Sequence, residues 1–143
     1  MQAHARRWIL VAVVYFCVAV SLGCYMGATM QFTFAPVHAH LNLLGWVTMT
    51  LTGLIYHHFP AAGSNRLAQV HFLGYNLVLP VQMASLAILL AGNPGIDPLL
   101  GISSVLMASL IVLFAVNVWR NSGADTVSAT ARPGAATGGA PAA

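Results

Sequence analysis

Four long apolar runs, separated by short breaks rich in Gly, Pro or polar residues, fill most of the chain. The first covers about 8–28 and follows Arg6-Arg7. The second covers about 37–59, with Pro36 placed to open a helix and Pro60 to close it. The third, about 67–91, carries Pro80 near its middle, which predicts a kink. A Gly92-Asn93-Pro94-Gly95 turn leads to the fourth, about 99–119. Each run has roughly the 20 residues that a helix needs to cross a bilayer. The pattern predicts an all-α integral membrane protein with four transmembrane helices in one domain over 1–120. The first run begins like a secretory leader, but it exceeds the roughly 7–15 apolar residues of one, so it reads as a retained helix. From Asn121 the sequence turns to Ala, Gly, Thr, Ser and Pro without apolar period, which predicts a disordered cytoplasmic tail over 121–143.

Composition narrows the class further. Only 5% of the 143 residues are charged and 59% are hydrophobic, where a soluble domain has about a quarter charged. So few charges cannot cover a water-soluble globule. With four spans, Arg6, Arg7, Arg66, Arg120 and Arg132 all fall on one side and Asp97 on the other. That positive-inside arrangement predicts a bacterial inner (cytoplasmic) membrane with both termini cytoplasmic. Scattered arginines and a net charge of +3 leave no footprint for nucleic acid. Cys17 and Cys24 share a helix face about 10 Å apart along the axis, too far for a disulfide. They read as buried thiols, and neither belongs to a C-x-x-C-H haem-attachment motif.

No Asp, Glu, Lys or Arg lies inside any predicted span, which argues against a proton-coupled transporter. Histidine is the ionisable residue that remains. Five of six histidines sit in or beside the second and third spans. His38 and His40, in the first turn of the second span, are about 200° apart on a helix and so cannot grip one ion together. His38 heads a polar and small-residue stripe with Asn42, Gly45, Thr52 and Tyr56. His40 heads the opposite, mainly apolar face with Leu44, Val47, Leu51 and His58. A neutral imidazole on an apolar face suits an axial haem ligand; first-turn histidines also serve as interfacial anchors, and spacing alone leaves both readings open. His57 and His58 fit solvated positions at the helix end. His71, one and a half turns into the third span, shares a stripe with Tyr75, Gln82 and Ser85; it reads as a hydrogen-bonded structural histidine, with a second cofactor site as the alternative. Gly45, Thr48, Thr52 and Gly53 invite close helix approach, and the methionines read as packing residues.

The stretch His38-Ala39-His40-Leu41-Asn42-Leu43-Leu44-Gly45-Trp46 resembles the small four-span relatives of haem–copper oxidase subunit I. The resemblance extends through Gly23–Met30, Val37–Pro60 and Leu67–Asn93, including Leu67-Ala68-Gln69-Val70-His71-Phe72. It implies one arc of a core built elsewhere from three four-helix arcs, so that three copies of this chain would rebuild the ring as a homotrimer. It also implies that an H-x-H pair, here His38 and His40, points toward two different haems. His38 of one protomer and His40 of the next would then ligate haem b at each interface, with Asn42 and Trp46 beside it. The resemblance stops short of the oxidase copper site. His57-His58 lies at the wrong end of the wrong helix and no tyrosine is placed to cross-link a ligand, so copper is possible but not expected.

Three functions follow in order. The first is electron transfer through bis-histidine haem, from quinol or between other redox partners in the lipid bilayer. The second is a gas-binding or gas-reducing haem enzyme acting on nitric oxide or oxygen. The third is a protein without cofactor, either a small four-span transporter or an assembly partner of an oxidase.

Overall fold

The computed structural model describes residues 3–130, with side chains described as far as Gly123. Among the described residues the chain is all-helical, in the order α1 (Ala3–Thr29), α2 (Ala35–His40), a π-helix (Leu41–Thr48), α3 (Met49–His58), α4 (Pro60–Gly63), α5 (Arg66–Leu90), a 3-10 turn (Pro94–Ile96) and α6 (Asp97–Thr130). Three helices are long and apolar enough to cross a membrane: Ala3–Thr29, Arg66–Leu90 and Pro94–Gly123. The predicted second span is a composite rod over 35–58, in which α2, the π-helix and α3 follow one another without a break. The last helix does not stop at 119. It continues through Thr130, so 121–130 is helical where the sequence predicts a disordered tail, and 131–143 lies outside the described residues.

The helix ends follow from local chemistry. Pro occupies the first turn of α2 and of α4, where its missing N–H costs nothing. Asn65 caps α5, its Oδ1 accepting from the Ala68 N–H at 2.9 Å. Both α1 and α5 end in a reversed turn in which an N–H reaches back five residues, from Gln31 to the Met26 carbonyl at 3.2 Å and from Asn93 to the Ile88 carbonyl at 3.3 Å. That turn needs a left-handed residue. Gly92 supplies it for α5 at φ 93°, whereas α1 uses Met30 at φ 55°. Pro80 sits within α5, which runs on past it to Leu90.

Packing is set by two heptad-like stripes. On α1, Ala5, Trp8, Ala12, Ala19 and Met26 are buried, with Tyr15 and Leu22 half-buried between them. This is an alternating three-and-four spacing with alanine at three of the points of closest approach. On α5 the same spacing joins Ala68, His71, Tyr75, Val78, Gln82 and Ser85. The composite rod meets α1 through glycines: a Cβ at Gly45 would lie 2.7 Å from Tyr15 Cβ, and one at Gly53 would lie 3.0 Å from the Ala5 carbonyl oxygen. Cys17 and Cys24 are exposed rather than buried. Both fall opposite the Ala5–Ala12–Ala19 stripe, so they point away from the helices that pack on it.

The π-helix explains which face of the rod is inside. Val37, Leu41, Gly45 and Met49 are all buried, at strict four-residue spacing. On an α-helix each such step overshoots by about 40°, so these four would fan across roughly 120°. A π turn absorbs one extra residue, which returns the four to within about 20° of one line.

Candidate functional site

The histidines divide between the two ends of the rod. His40 and Tyr56 are sixteen residues apart, roughly 24 Å along a helix. At the first end, His38 and His40 diverge as two-residue spacing requires. His38 is half-buried against α1, and its ring covers Gly23, where a Cβ would lie 2.7 Å from His38 Cε1. His40 is exposed.

The two rings share one feature of hydrogen bonding. His38 Nδ1 is 2.8 Å from the Ala19 carbonyl oxygen, and His40 Nδ1 is 2.7 Å from the Pro36 carbonyl oxygen. A carbonyl oxygen only accepts, so in each ring Nδ1 carries the proton and donates it. Each Nε2 then bears the lone pair. A histidine that binds a metal is usually held in this way, its far nitrogen tied to a carbonyl or carboxylate. The rings differ at Nε2. Asn42 Nδ2 lies 3.3 Å from His38 Nε2 and also donates to the His38 carbonyl at 3.0 Å. His40 is exposed, and Leu43 and Val47, about one and two turns further on along its face, are exposed as well.

Trp46 does not reach either imidazole. Its ring packs on Phe16 of α1 with centroids 4.8 Å apart. In helical angle, Val37 and Leu41 lie between His38 and His40, and they floor an apolar groove of about 690 Å³ walled by Val11 and Leu22 of α1 and Pro80 and Met83 of α5. Neither imidazole lines it.

The other end of the rod is closed. His71 is buried, and its Nδ1 shares a 3.1 Å hydrogen bond with the Tyr56 hydroxyl. Trp8 lies against it at 4.7 Å and Phe114 stacks on it at 5.3 Å. The Tyr56 hydroxyl accepts from Asn117 Nδ2 at 3.3 Å, and the same amide nitrogen donates to the Ala62 carbonyl at 2.9 Å. Asn117 Oδ1 accepts from Asn65 at 2.7 Å and from Asn121 at 3.0 Å. His71 is thus the inner end of a network tying α3, α4, α5 and α6 together. His57 and His58 are exposed, with His58 edge-on to Phe59.

No group of three or more His, Cys, Asp or Glu side chains converges among the described residues. Sequence reasoning missed Asn117, Asn65 and Gly23. An asparagine inside an otherwise apolar span is a costly residue and signals a partner, and Asn65 before a helical run is a cap signal. Gly23 carries no signal, because its role depends on the ring of His38, which lies on another helix beyond the 30–34 loop. Comparisons with family models, with curated proteins and with solved structures find no match for this chain.

Proposed function

We propose that this chain is a b-type haem protein of the bacterial inner membrane that carries electrons within the bilayer. In this reading the composite rod is a fourth span, both termini face the cytoplasm, and three copies form a ring. His40 of one protomer and His38 of the next hold a haem b at each interface. The observation that carries the reading is the matched tethering of the pair: both Nδ1–H groups donate to backbone carbonyls, which leaves both Nε2 atoms as bases.

The donor set fits the group. His40 lies on an exposed, mainly apolar face, where an interface ligand has to lie, and the Pro36 carbonyl fixes its ring. His38 keeps its lone pair on Nε2 but must shed the 3.3 Å contact with Asn42 before it can ligate. Asn42 is then a positioning residue, anchored to the His38 carbonyl and able to hold the ring until a partner arrives. Trp46 acts at a further remove, fixing the rod on α1 through Phe16. When bound, a haem ligated by two histidines supplies a one-electron iron couple suited to electron transfer.

The test is an optical spectrum of the detergent-purified protein before and after dithionite, with a pyridine haemochrome assay. A sharp b-type α-band, unchanged by carbon monoxide and lost in both His38→Ala and His40→Ala, is the expected result. A folded protein without haem, when haem is supplied during expression, refutes the proposal. Asn42 favours one second reading. If it keeps His38 engaged, His40 alone ligates the haem and leaves an open position for nitric oxide or oxygen. A carbon monoxide shift that survives in His38→Ala identifies that case.

A further inference from the structure

We infer that the junction between the start of α5 and the end of the apolar part of α6 binds the phosphodiester headgroup of an anionic membrane lipid. Arg66 and Arg120 line one hollow of about 460 Å³ there, with Asn65, Leu67 and Asn121. The two guanidinium groups come from different helices, and both residues are exposed. Asp97, the one acid with a described side chain, starts α6 about 35 Å away along the helix, so it does not neutralise them.

The two amide side chains in the hollow already have partners. Asn65 donates to Asn117 and to the Ala61 carbonyl at 3.2 Å, and Asn121 donates to both oxygens of Asn117. These amides fix the spacing of the two helix ends, and the guanidiniums remain as the donors for an incoming anion. A phosphodiester offers two acceptor oxygens, which two forked guanidiniums can bind together. Basic pockets between helices at the membrane surface are suited to such headgroups.

The choice of a lipid over a free anion rests on the neighbouring surface. Arg120 also borders a second hollow of about 250 Å³ formed by Ala115, Val116 and Trp119, which is apolar. Trp119 is 87% exposed, the placement of an aromatic side chain at a membrane interface. One arginine thus joins a polar hollow for a headgroup to an apolar one for an acyl chain.

The experiment titrates the full chain, purified in a neutral detergent, with phosphatidylglycerol, phosphatidylcholine or inorganic phosphate, and reads the thermal midpoint. Phosphatidylglycerol should raise the midpoint at concentrations where phosphatidylcholine and inorganic phosphate do not. In Arg66→Gln/Arg120→Gln the half-saturating phosphatidylglycerol concentration should rise about 30-fold, roughly fivefold per arginine. Arg66→Lys/Arg120→Lys should retain part of the effect, and Arg6→Gln/Arg7→Gln all of it. Equal loss in the Arg6/Arg7 variant, an unchanged response in the Arg66/Arg120 variant, or an equal response to inorganic phosphate would each overturn the assignment.

Discussion

His40 and His71 are the same residue in the same apolar setting, yet the fold treats them oppositely. His71 is enclosed by Trp8, Phe114 and Tyr75, and its Nδ1 is spent on Tyr56. His40 is exposed and, among the described residues, its ring hydrogen-bonds to its own helix alone, through the Pro36 carbonyl. The difference lies in what the neighbouring helices supply. At the His71 level four elements converge, and His71, Tyr56, Asn117 and Asn65 are linked by hydrogen bonds within the chain. At the His40 level no second helix among the described residues hydrogen-bonds to the ring, and an exposed imidazole on a mainly apolar face calls for a partner from outside.

Four substitutions break or sharpen this contrast. The largest effect is expected from His40→Ala, which should abolish haem binding while the protein still folds, since the residue is exposed and its hydrogen bond is to its own helix; haem content per folded protein checks it. Next is Asn117→Ala, which strips partners from Asn65, Asn121, Tyr56 and the Ala62 carbonyl together. It should destabilise the protein by about 2 kcal/mol, visible in a thermal melt in detergent, without changing any haem spectrum. Gly45→Ala should cost about 1–3 kcal/mol, because the added methyl meets the root of Tyr15 and α1 must move as a body. The smallest effect goes the other way. Met30→Gly relieves a left-handed residue whose side chain is exposed, and should stabilise α1's end by about 1 kcal/mol, read as a higher melting midpoint.

Much of this was legible along the chain. The apolar runs marked the helices, Pro36 marked the start of the rod and Pro60 its end, and the two-residue spacing of His38 and His40 foretold their divergence. Other features depend on distant residues and left no local trace. The π-helix redirects the rod's buried face, and Gly23 makes room for His38. Cys17 and Cys24 looked buried because apolar neighbours in sequence do not reveal which side of a membrane helix meets protein. The helical 121–130 segment was misread because Ala, Ser and Thr without apolar period fit a tail as well as the continuation of a long helix.

The contrast between the two histidines can be measured directly with paired reduced-minus-oxidised spectra of His40→Ala and His71→Ala at equal folded protein. The account predicts that the b-type α-band disappears in the first and survives in the second. A band that survives in His40→Ala and disappears in a folded His71→Ala would place the haem at the closed end of the rod and contradict it.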